Sequence, residues 1–187
     1  MRWDSLFADL EAQAEALSVA ERSAEVEDRT RFEIGRVNVH DRLAAVLNSE
    51  IKLRCLGDLW ITGRLRRSHP DWLLIEQDGV RDALVLTAGI VSIAGLSRSA
   101  TTAGDEAVRS VHSKLGVRHA LRGVVRDRSS VRMQLADGTA LTATLDRVGA
   151  DFIDCATHAE GESRRRGEVR EVLTVPFGAL VALHRDA

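Results

Sequence analysis

Ile51-Lys52-Leu53-Arg54-Cys55, then Gly57-Asp58, then Leu59-Trp60-Ile61-Thr62-Gly63-Arg64-Leu65 set the architecture of this chain. Apolar and polar residues alternate at a period of 2 in both runs, the pattern of strands with one face in a core. A glycine-containing turn between two such runs is a hairpin. Trp72–Ile75, Leu84–Leu86 and Ile90–Ile93 follow as a third, fourth and fifth strand. The pattern then recurs 80 residues further on. Ile51–Cys55 falls on Val131-Arg132-Met133-Gln134-Leu135, and the turn falls on Asp137-Gly138. Thr62, Leu65, Arg67 and Asp71 meet Thr142, Leu145, Arg147 and Asp151 identically. A bulky aromatic follows the aspartate in both copies, Trp72 in one and Phe152 in the other. Leu84–Ile93 then matches Leu173–Ala182 at an offset of 89, which assigns nine extra residues to the second copy, within His158–Arg170. An insertion of that kind belongs in an exposed loop.

Upstream of the first copy the period changes to that of a helix. Leu6, Phe7, Leu10, Ala14 and Leu17 recur at three- and four-residue spacing and form one apolar stripe, an interaction helix in waiting. Ser18-Val19-Ala20-Glu21 has the form of a capping box, so a second helix is predicted to start there and to stop near Gly35. Asn38-Val39-His40-Asp41 offers a further N-cap, ahead of a short helix with Leu43, Val46 and Leu47. Leu121–Asp127 is its counterpart ahead of the second copy. Between the copies, Ser97–Gly104 reads as a polar linker and Asp105–Leu115 as a helix. The expected class is α+β, with N-terminal helices and two tandem five-stranded small β-barrels, each preceded by a short helix. The expected divisions are an acidic helical region over 1–37, a first barrel with its leading helix over 38–96, a linker over 97–117, and a second barrel with its leading helix over 118–187.

A helix followed by five short, bent strands resembles the Sm-like small barrel, which is similar in shape to Src-homology-3-like barrels. Gly63-Arg64-Leu65 to Asp71, and Ala143-Thr144-Leu145 to Asp151, are similar to the Sm pattern of a small residue, a branched apolar residue and then an acid. The opening Met1-Arg2-Trp3-Asp4 with tandem modules also resembles an actinobacterial family of unassigned function. The Sm resemblance implies ring assembly and RNA binding. The base-reading asparagine and the basic-histidine motif have no counterpart here, so no RNA-reading residue is carried over.

Charge is unevenly spread. Residues 1–50 hold six basic and eleven acidic side chains, residues 51–130 thirteen and eight, so the ends and the middle attract different partners. The longest apolar runs fall far short of a membrane span, and no secretory signal opens the chain, so a cytoplasmic protein with no membrane partner is expected. Cys55 and Cys155 are then free thiols; they occupy positions where the other copy has Leu135 and Ile75, which makes them core residues. Cys155-Ala156-Thr157-His158 could supply half a metal site, but no second pair has usable spacing. No nucleophile elbow, phosphate loop, dinucleotide fingerprint or zinc-protease motif is present. Asp71 and Asp151 are repeat-equivalent turn residues rather than an acid–base pair. The sequence therefore points away from catalysis, cofactors, metals and a small-molecule substrate. It points to an assembly or protein-interaction module that self-associates or takes a protein partner. The alternative is RNA or DNA binding. Arg118, Arg122 and Arg126 lie at i, i+4, i+8 on one helix face, Arg64 and Arg66 share the outward face of a strand, and the loop adds Arg164, Arg165 and Arg166.

Overall fold

The computed structural model describes residues 39–79, 81–97, 116–158 and 171–185, with 7, 11, 13, 15, 17–18, 22–23, 25, 29–32 and 34–38 of the N-terminal region. The chain forms two compact units, residues 1–38 and residues 39–187. In the first, every described residue up to 36 is helical. Ser18 is one of them. Its hydroxyl donates to the Glu15 carbonyl at 2.9 Å, and its own carbonyl accepts from Arg22 Nε at 3.0 Å. Back-bonding of this kind is what a serine does inside a helix, so Ser18 is not the predicted N-cap.

The second unit begins with α1 (Val39–Ala44), directly after Asn38. The first repeat supplies β1 (Glu50–Cys55), β2 (Trp60–Ser68), β3 (Trp72–Gln77), β4 (Arg81–Leu86) and β5 (Ile90–Ala94). After α2 (Val117–Asp127) the second supplies β6 (Ser130–Leu135), β7 (Ala140–Val148), β8 (Phe152–Thr157), β9 (Glu171–Pro176) and β10 (Leu180–Arg185). The alternation read from the sequence is seen directly in β1, whose residues run exposed–buried three times. Both β2 and β7 carry a bulge against their third strand at equivalent places, between Leu65 and Arg67 and between Leu145 and Arg147. The extra residue bends each strand sharply.

Two separate barrels, each behind its own helix, do not form. The ten strands make one antiparallel, open sheet in the order β5-β1-β2-β3-β4-β10-β6-β7-β8-β9. The two repeats fuse because β4 pairs with β10, placing Val85 opposite Ala182 and Leu84 opposite Leu183. An unpaired strand edge exposes a row of backbone donors and acceptors, and pairing two such edges removes both rows at once.

Side chains cross the joint in both directions. From β4, Ala83 and Val85 enter the first core, while Leu86 enters the second with Leu84 beside it. From β10, Val181 and Ala182 enter the first core, while Leu180 and Leu183 enter the second. Neither core is closed without the other repeat's strand. The hairpin turns also meet: Gly57, at φ +68°, lies so near the second turn that a Cβ on it would sit 2.7 Å from the Gly138 Cα. Only glycine fits there.

The hydrogen bonds also correct the offset. Thr87 N–H donates to the Asp71 carbonyl and Phe177 N–H to the Asp151 carbonyl, at 3.0 and 2.7 Å. Asp71 matches Asp151, so Thr87 matches Phe177 and the late offset is 90. The β3–β4 loop has three residues, 78–80, and the β8–β9 loop thirteen, 158–170, a difference of ten rather than nine.

Candidate interaction edge

The same strand occurs twice in two surroundings. Leu53 pairs with Ile93, and its equivalent Met133 pairs with Leu183, so β5 and β10 correspond residue for residue. β10 has neighbours on both sides and Val181 is 0 % exposed. Among the described residues β5 has β1 on one side only, and the equivalent Val91 is 55 % exposed. At the other end of the sheet, β9 has β8 alone, with Val172 exposed.

Behind β5 lies a cavity of about 430 Å³. Its apolar wall includes Leu43 of α1 and Ile90, Ile93 and Leu96 of β5 and the residues after it, with His40 and His69 at the polar side. In the second repeat Leu180 and Leu183 stand at the positions of Ile90 and Ile93, and they share a core cluster with Leu121 of α2 and with Leu86 from the first repeat. The guanidinium of Arg42 donates twice to the Ser97 carbonyl, at 3.2 and 2.9 Å, and ties α1 to the segment after β5. His69 is buried and stacks on Trp72 with ring centroids 5.8 Å apart. Its Nδ1 accepts the Asp71 N–H at 3.1 Å; the Asp71 carboxylate at 3.7 Å is too far to compete. The ring proton is therefore on Nε2, which is shut from solvent and has no acceptor among the described residues.

The β3–β4 and β8–β9 faces of the two repeats differ in chemistry. Trp72, Leu74 and Leu84 line a cavity of about 310 Å³ together with Ala120 and Val124 of α2, so that face of the first repeat lies against the second. The equivalent face of β8 and β9 is polar. Arg147 reaches Asp154 Oδ2 with Nη2 at 2.6 Å and Nε at 2.8 Å, and the Thr174 hydroxyl donates to Asp154 Oδ1 at 2.7 Å. These bonds, with the Arg147 charge, hold the Asp154 carboxyl below the usual carboxylate range. Register makes Asp154–Thr174 the counterpart of Leu74–Leu84, and Phe152–Pro176 the counterpart of Trp72–Leu86. A proline and a charged network are what blunts an edge.

The arginine stripe is a real surface feature. Arg118, Arg122 and Arg126 are exposed on α2, whose other side buries Leu121. Arg64 and Arg66 are exposed on β2, where Arg66 pairs with Glu76 at 3.0 Å. Arg164, Arg165 and Arg166 lie outside the described residues, as do Leu6 and Leu10 of the apolar stripe. Phe7 and Leu17 of that stripe are exposed. The sequence reading missed Trp60. It is 51 % exposed on β2, with Lys52 Nζ 4.5 Å and Arg54 Cζ 5.7 Å from its ring. Alternation had already put all three on one outward face, because Arg54 and Trp60 are opposite each other.

Cys55 and Cys155 are buried free thiols, each pushed up to about 11 by burial, with Asp146 and Asp154 adding to the rise at Cys155. His158 Nε2 lies 3.1 Å from the Thr144 hydroxyl in the core, and among the described residues no group of three metal-ligating side chains occurs. No described helix is long and apolar enough to cross a membrane. Compared with known proteins, the chain matches no family model, no curated protein and no solved structure.

Proposed function

We propose that the chain is a non-enzymatic assembly module of the cytoplasm that joins a protein partner, or a second copy of itself, through the unpaired edge of β5. The observation that carries this is the contrast between Val181, 0 % exposed where its strand is paired, and Val91, 55 % exposed where the same strand is not. A strand edge flanked by apolar side chains is a template for strand addition. The test compares the full chain with Val91→Asp by light scattering after size exclusion at high micromolar concentration, and by retention of partners from cell extract. Association that the variant abolishes supports the reading. A strict monomer that retains no partner, or association unchanged in V91D, overturns it.

A second reading is nucleic-acid binding, favoured by the exposed Arg118–Arg122–Arg126 face and by Trp60 standing between Lys52 and Arg54 as a stacking platform. Phosphate-driven binding weakens steeply as salt rises. Heterogeneous RNA should then shift at low ionic strength, and Arg122→Ala with Arg126→Ala should weaken it; no shift removes this reading.

A further inference from the structure

The joint between β4 and β10 shows what an incoming strand does when it meets the edge that β5 leaves open. It pairs backbone to backbone, with Leu84 opposite Leu183, and it places Leu86 in the same core cluster as Leu121, Leu180 and Leu183, with Leu84 packed against that cluster. The first repeat has Ile90 and Ile93 at the positions of Leu180 and Leu183, with Leu43 of its own leading helix beside them. Those three border the cavity of about 430 Å³, and among the described residues no strand pairs the outer edge of β5. An apolar slot beside an unpaired edge lacks the two things β4 provides: a ladder of hydrogen bonds and two apolar side chains two residues apart.

We propose that this slot receives an extended segment of another protein, with leucine-like side chains at positions i and i+2, added antiparallel to β5. The proposal rests on the edge-pairing reading above and specifies its partner. A second copy of this chain is a poor fit. Among the described residues its free edge of the β4 type is β9, which has Thr174 and Pro176 where β4 has Leu84 and Leu86. Thr174 is already bonded to Asp154, and proline has no N–H to give to a ladder. The gatekeeping extends to the turn after the strand. A Cβ on Gly89 would meet Val181 at 3.1 Å, and the second repeat has Ala179 at that position, so the seat it would offer to Val91 of β5 is narrower.

The probe is a fluorescently labelled peptide with the sequence of residues 81–87, Arg-Asp-Ala-Leu-Val-Leu-Thr, titrated onto the intact chain and followed by polarisation. It should bind, and replacing both of its leucines with aspartate should weaken binding at least tenfold. Val91→Asp and Ile93→Arg in the protein should each do the same, with the thermal midpoint measured to show that both variants fold. Sensitivity to the β5 variants places the peptide at β5 and not at β10. A peptide with the sequence of residues 171–177 should bind at least tenfold more weakly. Equal binding of the 171–177 peptide overturns the proposal in favour of a second copy; indifference to the leucines or to V91D overturns it outright. Should the chain associate in a V91D-sensitive way while the 81–87 peptide fails to bind, the edge reading stands and the leucine slot falls. Should neither occur, both fall.

Discussion

β5 and β10 occupy the same place in their repeats, yet one is a surface edge and the other is the most enclosed strand of the sheet. All four residues Leu180–Leu183 are buried, whereas Val91, Ser92 and Ala94 are exposed. The difference comes from β4 and the turn after it, which cover one copy and not the other. Repeat equivalence therefore fixes a strand's partners within its own repeat. What happens on its outer edge depends on the neighbour. The same contrast holds for β4 and β9: Leu84 and Leu86 serve a core beyond their own repeat, while Thr174 and Pro176 face no core at all.

The comparison breaks most easily at the centres of the two halves. Leu65 and Leu145 are matching core residues, 0 % and 2 % exposed, and truncation to Ala should cost about 2–5 kcal/mol in each case through lost burial and a cavity. Because each core contains strands from both repeats, either variant should unfold residues 39–187 in one transition. Calorimetry showing two separate transitions, with only one moved by each variant, would mean that the halves are independent and that the joint is weak. Arg64→Ala, one residue from Leu65 and exposed, should cost well under about 1 kcal/mol.

The joint itself gives the sharper contrast. Val181→Ala removes two buried carbons between β4 and β6 and should cost about 1.5–3 kcal/mol. Val91→Ala makes the same change at the equivalent exposed position and should stay within about 0.5 kcal/mol. Urea midpoints of the isolated chain measure both. A cost at Val91 as large as that at Val181 would show the β5 edge already covered in the free protein.

Ten strands, their hairpins and the core phase of β1 and β2 were legible because alternation at period 2 is a local signal. The joint was legible too, and was misread. Leu84-Val85-Leu86 and Leu180-Val181-Ala182-Leu183 are unbroken apolar runs, the mark of strands buried on both faces. The runs that face water break at a polar residue, Ser92 in one and Thr174 in the other. Read that way, the sequence distinguishes joint strands from edge strands and argues against two closed barrels. The slot behind β5 was not legible, since Leu43, Ile93 and Leu96 are brought together only by the bent sheet. His69 gave no signal of its own either: its equivalent is Gly149, and nothing nearby in the chain marks its Nε2 as unsatisfied. Ser18 shows the opposite failure, a local capping signal overridden by a helix that includes it.

The smallest expected effect concerns the polar face that blunts β9. Asp154 accepts from Thr174 and Arg147 and is only 14 % exposed, and its pKa is lowered from the ordinary 3.8, first by the threonine hydroxyl and then by the arginine. A carboxylate whose pKa is depressed in the folded state adds stability that is fully present above its unfolded value. That increment is lost as pH falls through the folded one. The network should therefore support the fold at neutral pH and fade as pH falls below about 4. Asp154→Asn keeps the shape and removes the charge. At pH 7 it should lower the urea midpoint slightly, and the gap between variant and wild type should close as pH is taken from 5 down to 3. The matching site in the first repeat is Leu74, which does not titrate, so Leu74→Ala should cost the same at both pH values. No gap at Asp154 at any pH across this range would show that the side chain acts through its shape alone. The polar face would then be ordinary surface, and the chemical difference between the two ends of the sheet would rest on Pro176.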